Sequence, residues 1–261
     1  MPEKLPITLA VTNTKGGVGK TTTAVNLAAA LAAPNRRVLL IDLDSQASAS
    51  AWLGVPRSRL NPSSANWLLS HAPLRKVIRA TSTPNLDLVT ASLDLASADV
   101  TLCDVRGREL VLRGRLEEVP ARYDLVMLDC SPGLSLLGIN ALIAADALMV
   151  PVACRPLCLD GLVNFFGNLE RLRTRLRAAP RVLGILLTLL DRTAEMREIA
   201  ERIRAQYRDR VFHTELRSSP QLARAPLEAK TIFEAAPRSP SADSFRRLAG
   251  EVLQRLPAAA R

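Results

Sequence analysis

The stretch that decides the fold is Val11-Thr-Asn-Thr-Lys-Gly-Gly-Val-Gly-Lys-Thr-Thr22. The apolar run 7–11 leads into it, and an Ala- and Leu-rich pattern typical of a helix follows over 22–33. A glycine-rich turn between a strand and a helix lets successive backbone N–H groups and the helix N-terminus face a phosphate. This strand–loop–helix context favours a phosphate-binding loop over a plain glycine-rich turn.

The residues inside the loop have distinct expected partners. Lys20 is placed to meet the β- and γ-phosphates of a nucleotide, and the Thr21 hydroxyl is placed to meet a Mg²⁺ ion. The general pattern Gly-x4-Gly-Lys-Thr requires glycine at position 14, where Thr14 stands, and a second lysine opens the loop. We therefore expect nucleotide contacts from the whole loop: Lys15, Gly16, Gly17, Val18, Gly19, Lys20, Thr21 and Thr22.

The composition limits the class of protein. The chain has 261 residues, of which 48% are hydrophobic and 3% aromatic, so it has enough apolar residues for a large aliphatic core. Its net charge is +10, with five lysines and thirty arginines. Such a balance suggests a polyanionic partner, namely DNA, RNA or an acidic membrane surface. An arginine bias from GC-rich coding is the alternative that composition leaves open.

Cysteine usage and the absence of apolar spans favour a cytosolic protein with reduced thiols. The cysteines are Cys103, Cys130, Cys154 and Cys158. The start of the chain has no secretory pattern, and no apolar run reaches transmembrane length. Cys154 and Cys158 are separated by three residues and have no histidine cluster nearby, which argues against a metal site.

Strands and helices alternate along the chain. Apolar strands are predicted at 5–11, 38–42, 86–90, 123–129, 147–152 and 181–190. Helical stretches are predicted at 22–33, 65–80, 134–145, 157–177, 194–207 and 244–256, with an amphipathic segment at 106–119 whose Leu110, Leu112 and Leu116 face inward. This alternation predicts an α/β fold with a mostly parallel twisted sheet and helices on both faces. Ligands of such sheets bind at the carboxyl ends of the strands.

The spelling Lys15-Gly-Gly-Val-Gly-Lys-Thr-Thr22 resembles the deviant Walker A motif of the ParA/MinD family of P-loop ATPases. The resemblance extends over about 7–256 and implies a single-domain P-loop NTPase over 1–261, with no N-terminal helix-turn-helix extension. It also implies ATP and Mg²⁺ as ligands and an ATP-bound homodimer. In the family the first lysine reaches the phosphates of the partner's nucleotide, so the resemblance assigns a catalytic role to Lys15.

Two acidic segments resemble the switch regions of the same family. Asp42-Leu-Asp44-Ser45-Gln46 resembles the first switch, which implies that Asp44 orients the attacking water and that Asp42 supports the Mg²⁺ shell. Ser45 replaces the usual proline, and a solvated turn with a helix cap is the alternative for the two acids. Asp129 ends a strand of Walker B form, so it is expected to hold Mg²⁺ through water.

Two further segments resemble the family less closely. Cys130-Ser-Pro-Gly133 occupies the second switch, where we interpret Cys130 as a small buried hydrophobic residue rather than a nucleophile. Thr188-Leu-Leu-Asp191 resembles the adenine-side segment, which adds Thr188 to the expected nucleotide contacts.

The second half of the chain carries the candidate DNA-binding residues. Residues 168–217 contain twelve arginines and seven acids, a net charge of +5. Residues 216–226 resemble a family segment in which DNA-binding relatives carry arginine where Gln221 stands, and Arg217 and Arg224 flank that position. We expect Arg217 and Arg224 to bind DNA. The alternative is that the arginines of this region lie on solvated helix faces and pair with Glu195, Glu198 and Glu201.

The resemblance implies a ParA-type ATPase that hydrolyses ATP slowly, is stimulated by a ParB-like or other partner, and binds nucleoid DNA without sequence preference. It would segregate or position DNA or another cargo in the cytoplasm. A MinD-like membrane-cycling ATPase is the alternative, although Pro257 and the lack of an aromatic residue after Phe245 argue against a membrane anchor. An iron–sulfur carrier needs a bridging cysteine pair, and Cys130 and Cys154 show no such pattern.

Overall fold

The computed structural model describes residues 5–176 and 180–256. Two sequence predictions extend beyond that part of the chain. The predicted helix 157–177 ends at Arg177, and the argument against a membrane anchor relies on Pro257 and the residues after it. The described strands are β1 (Ile7–Val11), β2 (Val38–Leu43), β3 (Ile78–Ala80), β4 (Leu86–Val89), β5 (Leu125–Cys130), β6 (Ala147–Ala153) and β7 (Arg181–Thr188).

These strands form one sheet in the order β3-β4-β2-β5-β1-β6-β7. All neighbours run parallel except β3, which pairs antiparallel with β4 at the edge. β1 lies between β5 and β6 and is buried along its whole length, as expected for a strand covered on both faces. The predicted α/β fold with a mostly parallel sheet is therefore confirmed.

Helices cover both faces of the sheet. They are α1 (Lys20–Leu31), α2 (Ser48–Trp52), α3 (Ser64–Leu69), α4 (Leu74–Val77), α5 (Ala98–Thr101), α6 (Val111–Leu116), α7 (Leu136–Ala144), α8 (Cys158–Leu176), α9 (Ala194–Tyr207), α10 (Pro220–Arg224), α11 (Ile232–Ala235) and α12 (Pro240–Arg255). One core contains Leu27 of α1 and Phe245 of α12, and the other contains Trp67 of α3 and Phe165 of α8. None of these helices is long and apolar enough to cross a membrane.

Two sequence predictions about local structure were wrong. The stretch 65–80 is not one helix: α3 and α4 are separated by a turn at His71 and Pro73, and β3 follows directly. Proline disfavours a helical conformation at the residue before it, and pairing with β4 makes the end of the stretch extended. Leu110 does not face inward but is 45% exposed, because it ends a 3-10 turn before α6; Leu112 is fully buried.

Candidate functional site

The glycine-rich loop leaves β1, which lies between β5 and β6 inside the sheet, and enters α1. Gly17 and Gly19 have φ angles of 69° and 83°, a left-handed conformation that glycine adopts without steric cost. Gly19 is the N-cap of α1 and has no side chain to cap the first turn, so the first N–H groups of α1 remain available to an anion. The predicted strand–loop–helix arrangement is present.

Lys20 lies under the loop. Its side chain is buried, and its Nζ donates a hydrogen bond of 2.9 Å to the backbone oxygen of Lys15. Burial lowers the pKa of Lys20, while the negative charge of Asp129 acts in the opposite direction. The ammonium group is therefore held at the loop and near an acid.

Lys15 contacts the β6–α8 connection of its own chain. Its backbone N–H donates to Asn13 Oδ1 at 3.0 Å, and its Nζ donates to the backbone oxygen of Leu157 at 2.6 Å. The aliphatic part of Lys15 lies over Gly161 in the first turn of α8: a Cβ on that glycine would be 2.9 Å from Lys15 Cε. Leu157 itself has a φ of 64° and is 71% exposed.

Asp42 is completely buried at the end of β2, beside the loop. Its carboxylate accepts hydrogen bonds from the backbone N–H of Asp44 (3.1 Å), the backbone N–H of Ser50 (2.9 Å) and the Ser50 hydroxyl (2.7 Å). Burial raises the pKa of Asp42 to about 6, and the bonds from Ser50 partly offset that effect. Both Asp42 oxygens are already engaged in holding the first switch segment together.

Asp129 lies opposite Asp42 in the β2–β5 register and is fully buried. Neither of its carboxylate oxygens has a partner with full hydrogen-bond geometry, although the Thr21 hydroxyl lies near them. Burial raises the pKa of Asp129 well above its usual value, the charge of Asp42 adds to this, and the Thr21 hydroxyl opposes it. A buried carboxylate without a partner is costly, and a cation with oxygen preference would satisfy it.

A Mg²⁺ ion fits this donor set only with additional ligands. In the described part of the chain no three acidic, histidine or cysteine side chains are grouped to hold a metal. Mg²⁺ commonly binds one or two carboxylates and takes its other ligands from water and phosphate oxygens. Asp129 and the Thr21 hydroxyl match that mode, whereas Asp42 is committed to Ser50 and Asp44.

Asp44 lies in a half-buried turn just beyond β2. Its Oδ1 accepts a hydrogen bond of 3.0 Å from the backbone N–H of Gln46, and the turn continues through Ala47 with a φ of 53°. Asp44 thus lies at the carboxyl end of the sheet with Lys20 and Asp129, whose pKa values its charge affects. The structure brings together the acids and lysines that the sequence singled out.

Thr188 is buried at the end of β7, where its hydroxyl donates a hydrogen bond of 2.8 Å to the backbone oxygen of Val18. In this structure Thr188 thus supports the phosphate loop. Cys130 is buried directly after Asp129, and burial raises its thiol pKa, in agreement with its interpretation as a small hydrophobic residue.

The two candidate DNA-binding arginines have different surroundings. Arg217 is exposed and lines a cavity of about 870 Å³ together with Arg192, Arg238 and Arg247. Arg224 lies outside that cavity, and its Nη2 is 3.9 Å from the Glu228 carboxylate. Gln221 accepts a hydrogen bond of 2.8 Å from the Ser219 hydroxyl.

The acidic residues of α9 do not pair with the basic segment. Within the residues described, Glu195, Glu198 and Glu201 form no ion pair, while Arg204 of the same helix pairs with Glu215 at 2.6 Å. The ion pairs that the alternative assumed are therefore not found among the described residues. The solvated helix face that it also assumed is present, since Arg197 and Arg202 of α9 are exposed.

Several residues of the site were not predicted from the sequence. Ser50 fixes Asp42, the Asn13 side chain donates to the backbone oxygen of Pro151 at 2.7 Å, and Leu157 and Gly161 receive Lys15. Asn13 adjoins the loop and could have been considered. The other contacts join segments distant in sequence, and no local pattern reveals them.

The sequence matches known proteins along nearly its whole length. Residues 7–181 match a family model described as an AAA domain. The sporulation initiation inhibitor protein Soj of Bacillus subtilis is 38% identical over 94% of this chain and 97% of its own length. The chromosome-partitioning ATPase Soj of Thermus thermophilus is 41% identical over 95% of this chain and 96% of its own length. The chromosome partitioning protein ParA of Caulobacter vibrioides is 36% identical over 95% of this chain and 94% of its own length.

Solved structures show the same fold. A cobyrinic acid a,c-diamide synthase from Mycobacterium smegmatis, with bound ATP analogue and magnesium, has a TM-score of 0.83 at 30% identity, covering 95% of each chain. The McdA–ATP complex of Cyanothece has a TM-score of 0.84 at 19% identity, covering 97% of this chain and 96% of that one. The cell division ATPase MinD of Pyrococcus furiosus has a TM-score of 0.79 at 22% identity, covering 96% of this chain and 98% of that one.

The McdA and MinD structures, at 19% and 22% identity, support the fold alone. The family match, the curated relatives and the double-lysine loop agree with one another, and the chain belongs to the ParA/MinD family of deviant Walker A P-loop ATPases.

Proposed function

We propose that this chain is a ParA-type ATPase that binds ATP with Mg²⁺, forms an ATP-sandwich homodimer and hydrolyses ATP to ADP and phosphate. The observation that carries the proposal is the open glycine-rich loop with two lysines, placed beside the unpartnered buried carboxylate of Asp129. A loop of this kind offers N–H groups and positive charge to phosphates, and the acid offers a cation ligand.

Within one subunit, the loop N–H groups and Lys20 bind the nucleotide phosphates. Lys20 exchanges its hydrogen bond to the Lys15 backbone oxygen for bonds to phosphate oxygens. Asp129 and the Thr21 hydroxyl would hold Mg²⁺, which would supply positive charge beside the phosphates. Asp42 would support that site by fixing the first switch segment through Ser50. Asp44 orients the water for in-line attack, so catalysis consists mainly of positioning.

Lys15 acts across the dimer interface in this proposal. In the single chain its Nζ is bonded to the Leu157 backbone oxygen, and it must leave that oxygen to reach the phosphates of the partner's nucleotide. Pairing of two subunits therefore competes with a contact inside each subunit. Slow intrinsic turnover and acceleration by a ParB-like or other activating protein are consistent with such a competition.

The ATP-bound dimer binds DNA without sequence preference and so associates with the nucleoid in the cytoplasm. Support comes from the +5 charge of 168–217, from Arg217 and Arg224 on the surface, and from the curated relatives that are chromosome-partitioning proteins. A dimer presents this surface twice, which strengthens binding to one polyanion by raising the effective concentration. The cargo is DNA or another assembly that the dimer segregates or positions.

Sedimentation with a non-hydrolysable ATP analogue and Mg²⁺ tests the proposal. Lys20→Ala removes the cation under the loop and is expected to abolish nucleotide binding. Lys15→Ala is expected to bind the analogue but to remain monomeric. Lys76→Ala, which alters an exposed lysine of α4, is the control and is expected to dimerise like the wild type. A dimer of unchanged stability in Lys15→Ala would contradict the role assigned to Lys15.

A further inference from the structure

Thr188 connects the phosphate loop to the far edge of the sheet. Its hydroxyl holds the Val18 backbone oxygen at 2.8 Å in a buried position, although the two residues lie 170 positions apart. Because the peptide unit is planar and trans, fixing the Val18 oxygen also directs the N–H of Gly19 away from Thr188. The hydrogen bond thus sets the orientation of one of the N–H groups that would face a phosphate.

On its other side, Thr188 continues into the segment that carries Arg217. Leu189 turns the chain with a φ of 53°, and Leu190 donates to the Leu216 oxygen at 3.2 Å. Ser218 donates to the Leu190 oxygen at 3.0 Å, and Leu190 and Arg217 form a parallel bridge. A short backbone ladder therefore joins the residues after Thr188 directly to Arg217.

The end of this ladder lines the basic cavity defined by Arg192, Arg217, Arg238 and Arg247. Two of its three acidic residues pair with arginines that do not line the cavity: Glu215 pairs with Arg204 at 2.6 Å, and Asp243 pairs with Arg246 at 2.7 Å. The third, Asp191, accepts a hydrogen bond from the Thr193 N–H at 2.8 Å and keeps its negative charge. In the part of the chain that the structure describes, none of the four cavity arginines forms an ion pair. Their positive charge is available to an anionic ligand.

We propose that the Thr188 hydroxyl is the positioning group that couples nucleotide at the phosphate loop to DNA at the basic cavity. A nucleotide that reorients the Val18–Gly19 peptide changes the bond to Thr188. The turn at Leu189 and the ladder to Arg217 transmit that change to the cavity. This inference rests on the proposed function and adds to it the residue through which the ATP state controls DNA affinity.

The test uses the reciprocity of coupled binding: if nucleotide tightens DNA binding by some factor, DNA tightens nucleotide binding by the same factor. The affinity of the full chain for a non-hydrolysable ATP analogue is measured with and without a saturating duplex of arbitrary sequence, at one salt concentration. The ratio of the two affinities reports coupling, so a change in nucleotide affinity alone cancels. For the wild type the expected ratio lies in the usual range for coupled sites, about 5- to 150-fold.

Thr188→Val keeps the shape of the side chain and removes the donor, so its ratio is expected to fall to about one. Thr188→Ser keeps the hydroxyl and is expected to retain the wild-type ratio. Thermal unfolding checks that each variant is folded, and Thr188→Ala, which removes the hydroxyl without added bulk, replaces the valine variant if that one fails to fold.

Three results overturn the inference. A wild-type ratio in Thr188→Val would leave the proposed function intact and remove Thr188 from the coupling. Complete loss of analogue binding in that variant would show that the hydroxyl acts in nucleotide binding instead. A ratio of one in the wild type would refute nucleotide control of DNA binding itself, and the inference would fall with it.

Discussion

At the scale of single residues, the three acids of the site are distinguished by their partners. Asp42 accepts hydrogen bonds from Ser50 and the Asp44 backbone, and Asp129 is buried with no partner of full hydrogen-bond geometry. Asp44 is half-buried in a turn beside both. In the proposed function, this division assigns Asp129 to the cation, Asp44 to the water and Asp42 to holding the first switch segment in place.

Replacing Asp44 tests its role in hydrolysis. Asp44→Ala removes the group proposed to orient water and leaves the groups proposed to bind phosphate, so ATP turnover is expected to fall about 10²-fold or more with ATP binding retained. The ATP-bound dimer should accumulate, as seen by sedimentation with ATP itself. The control is Asp104→Ala, at an exposed acid between α5 and α6. Wild-type turnover in Asp44→Ala would mean that another residue positions the water.

Gly161 controls the contact that Lys15 makes within its own subunit. Gly161→Ala places a Cβ 2.9 Å from Lys15 Cε, and the flexible lysine is expected to leave the Leu157 oxygen. A hydrogen bond contributes about 1 kcal/mol, so analogue-dependent dimerisation should tighten by about fivefold or more in a sedimentation titration. Gly167→Ala, in the same helix and with no atom near its added Cβ, is the matched control. Equal dimerisation by both variants would show that this contact does not oppose pairing.

At the scale of elements, α12 and β7 are joined through one crowded position. A Cβ on Gly184 of β7 would lie 2.6 Å from the Phe212 ring and 2.8 Å from Arg255 Nη1. Phe212 is fully buried under the Arg255 guanidinium, which also donates to the Leu183 and Val211 backbone oxygens. The absence of a side chain at position 184 allows the last helix to pack against the edge of the sheet.

A pair of glycine substitutions measures the importance of this packing. Gly184→Ala is expected to lower the free energy of unfolding by about 1–3 kcal/mol, because the buried ring cannot move aside. Gly250→Ala, at an exposed position of α12 with open space around it, is expected to raise that free energy by about 0.5–1 kcal/mol. Urea denaturation followed by circular dichroism compares the two. Equal stability of both variants would contradict the packing argument.

At the scale of the whole molecule, the prediction concerns polyanion binding by the dimer. With ATP analogue present, unrelated duplexes should bind with similar affinity. That affinity should decrease steeply with salt, since each neutralised phosphate adds roughly 0.9 to the log–log slope. Arg217→Ala and Arg224→Ala should weaken binding to every sequence alike. Arg113→Ala, an exposed arginine of α6 outside the 168–217 segment, is the control.

The measurement is a fluorescence titration at two salt concentrations, with the analogue, with ADP and without nucleotide. Equal affinity in all three states would contradict nucleotide control. Absence of binding at low salt would contradict DNA binding as such, and it would single out Gln221, between Arg217 and Arg224, as the relevant difference from the family segment that 216–226 resembles.

The sequence by itself determined the sheet class, the loop and the acids at the strand ends. This was possible because those features are local: buried parallel strands are continuous apolar runs, and the loop glycines, lysines and Thr21 are contiguous. Since parallel strands share one carboxyl edge, it also followed that Asp42, Asp44 and Asp129 would lie near the loop. The ends of the helices deviated by a few residues, as at α12.

Only the tertiary structure decided the contacts between distant segments. The extended end of 65–80 depends on pairing with β4, and the exposure of Leu110 depends on where α6 begins. The partners of Lys15 and Thr188 lie 142 and 170 residues away along the chain. Hydrogen bonds of this kind arise from the folding of the sheet and its connections, so they leave no periodicity or motif in the sequence that could predict them.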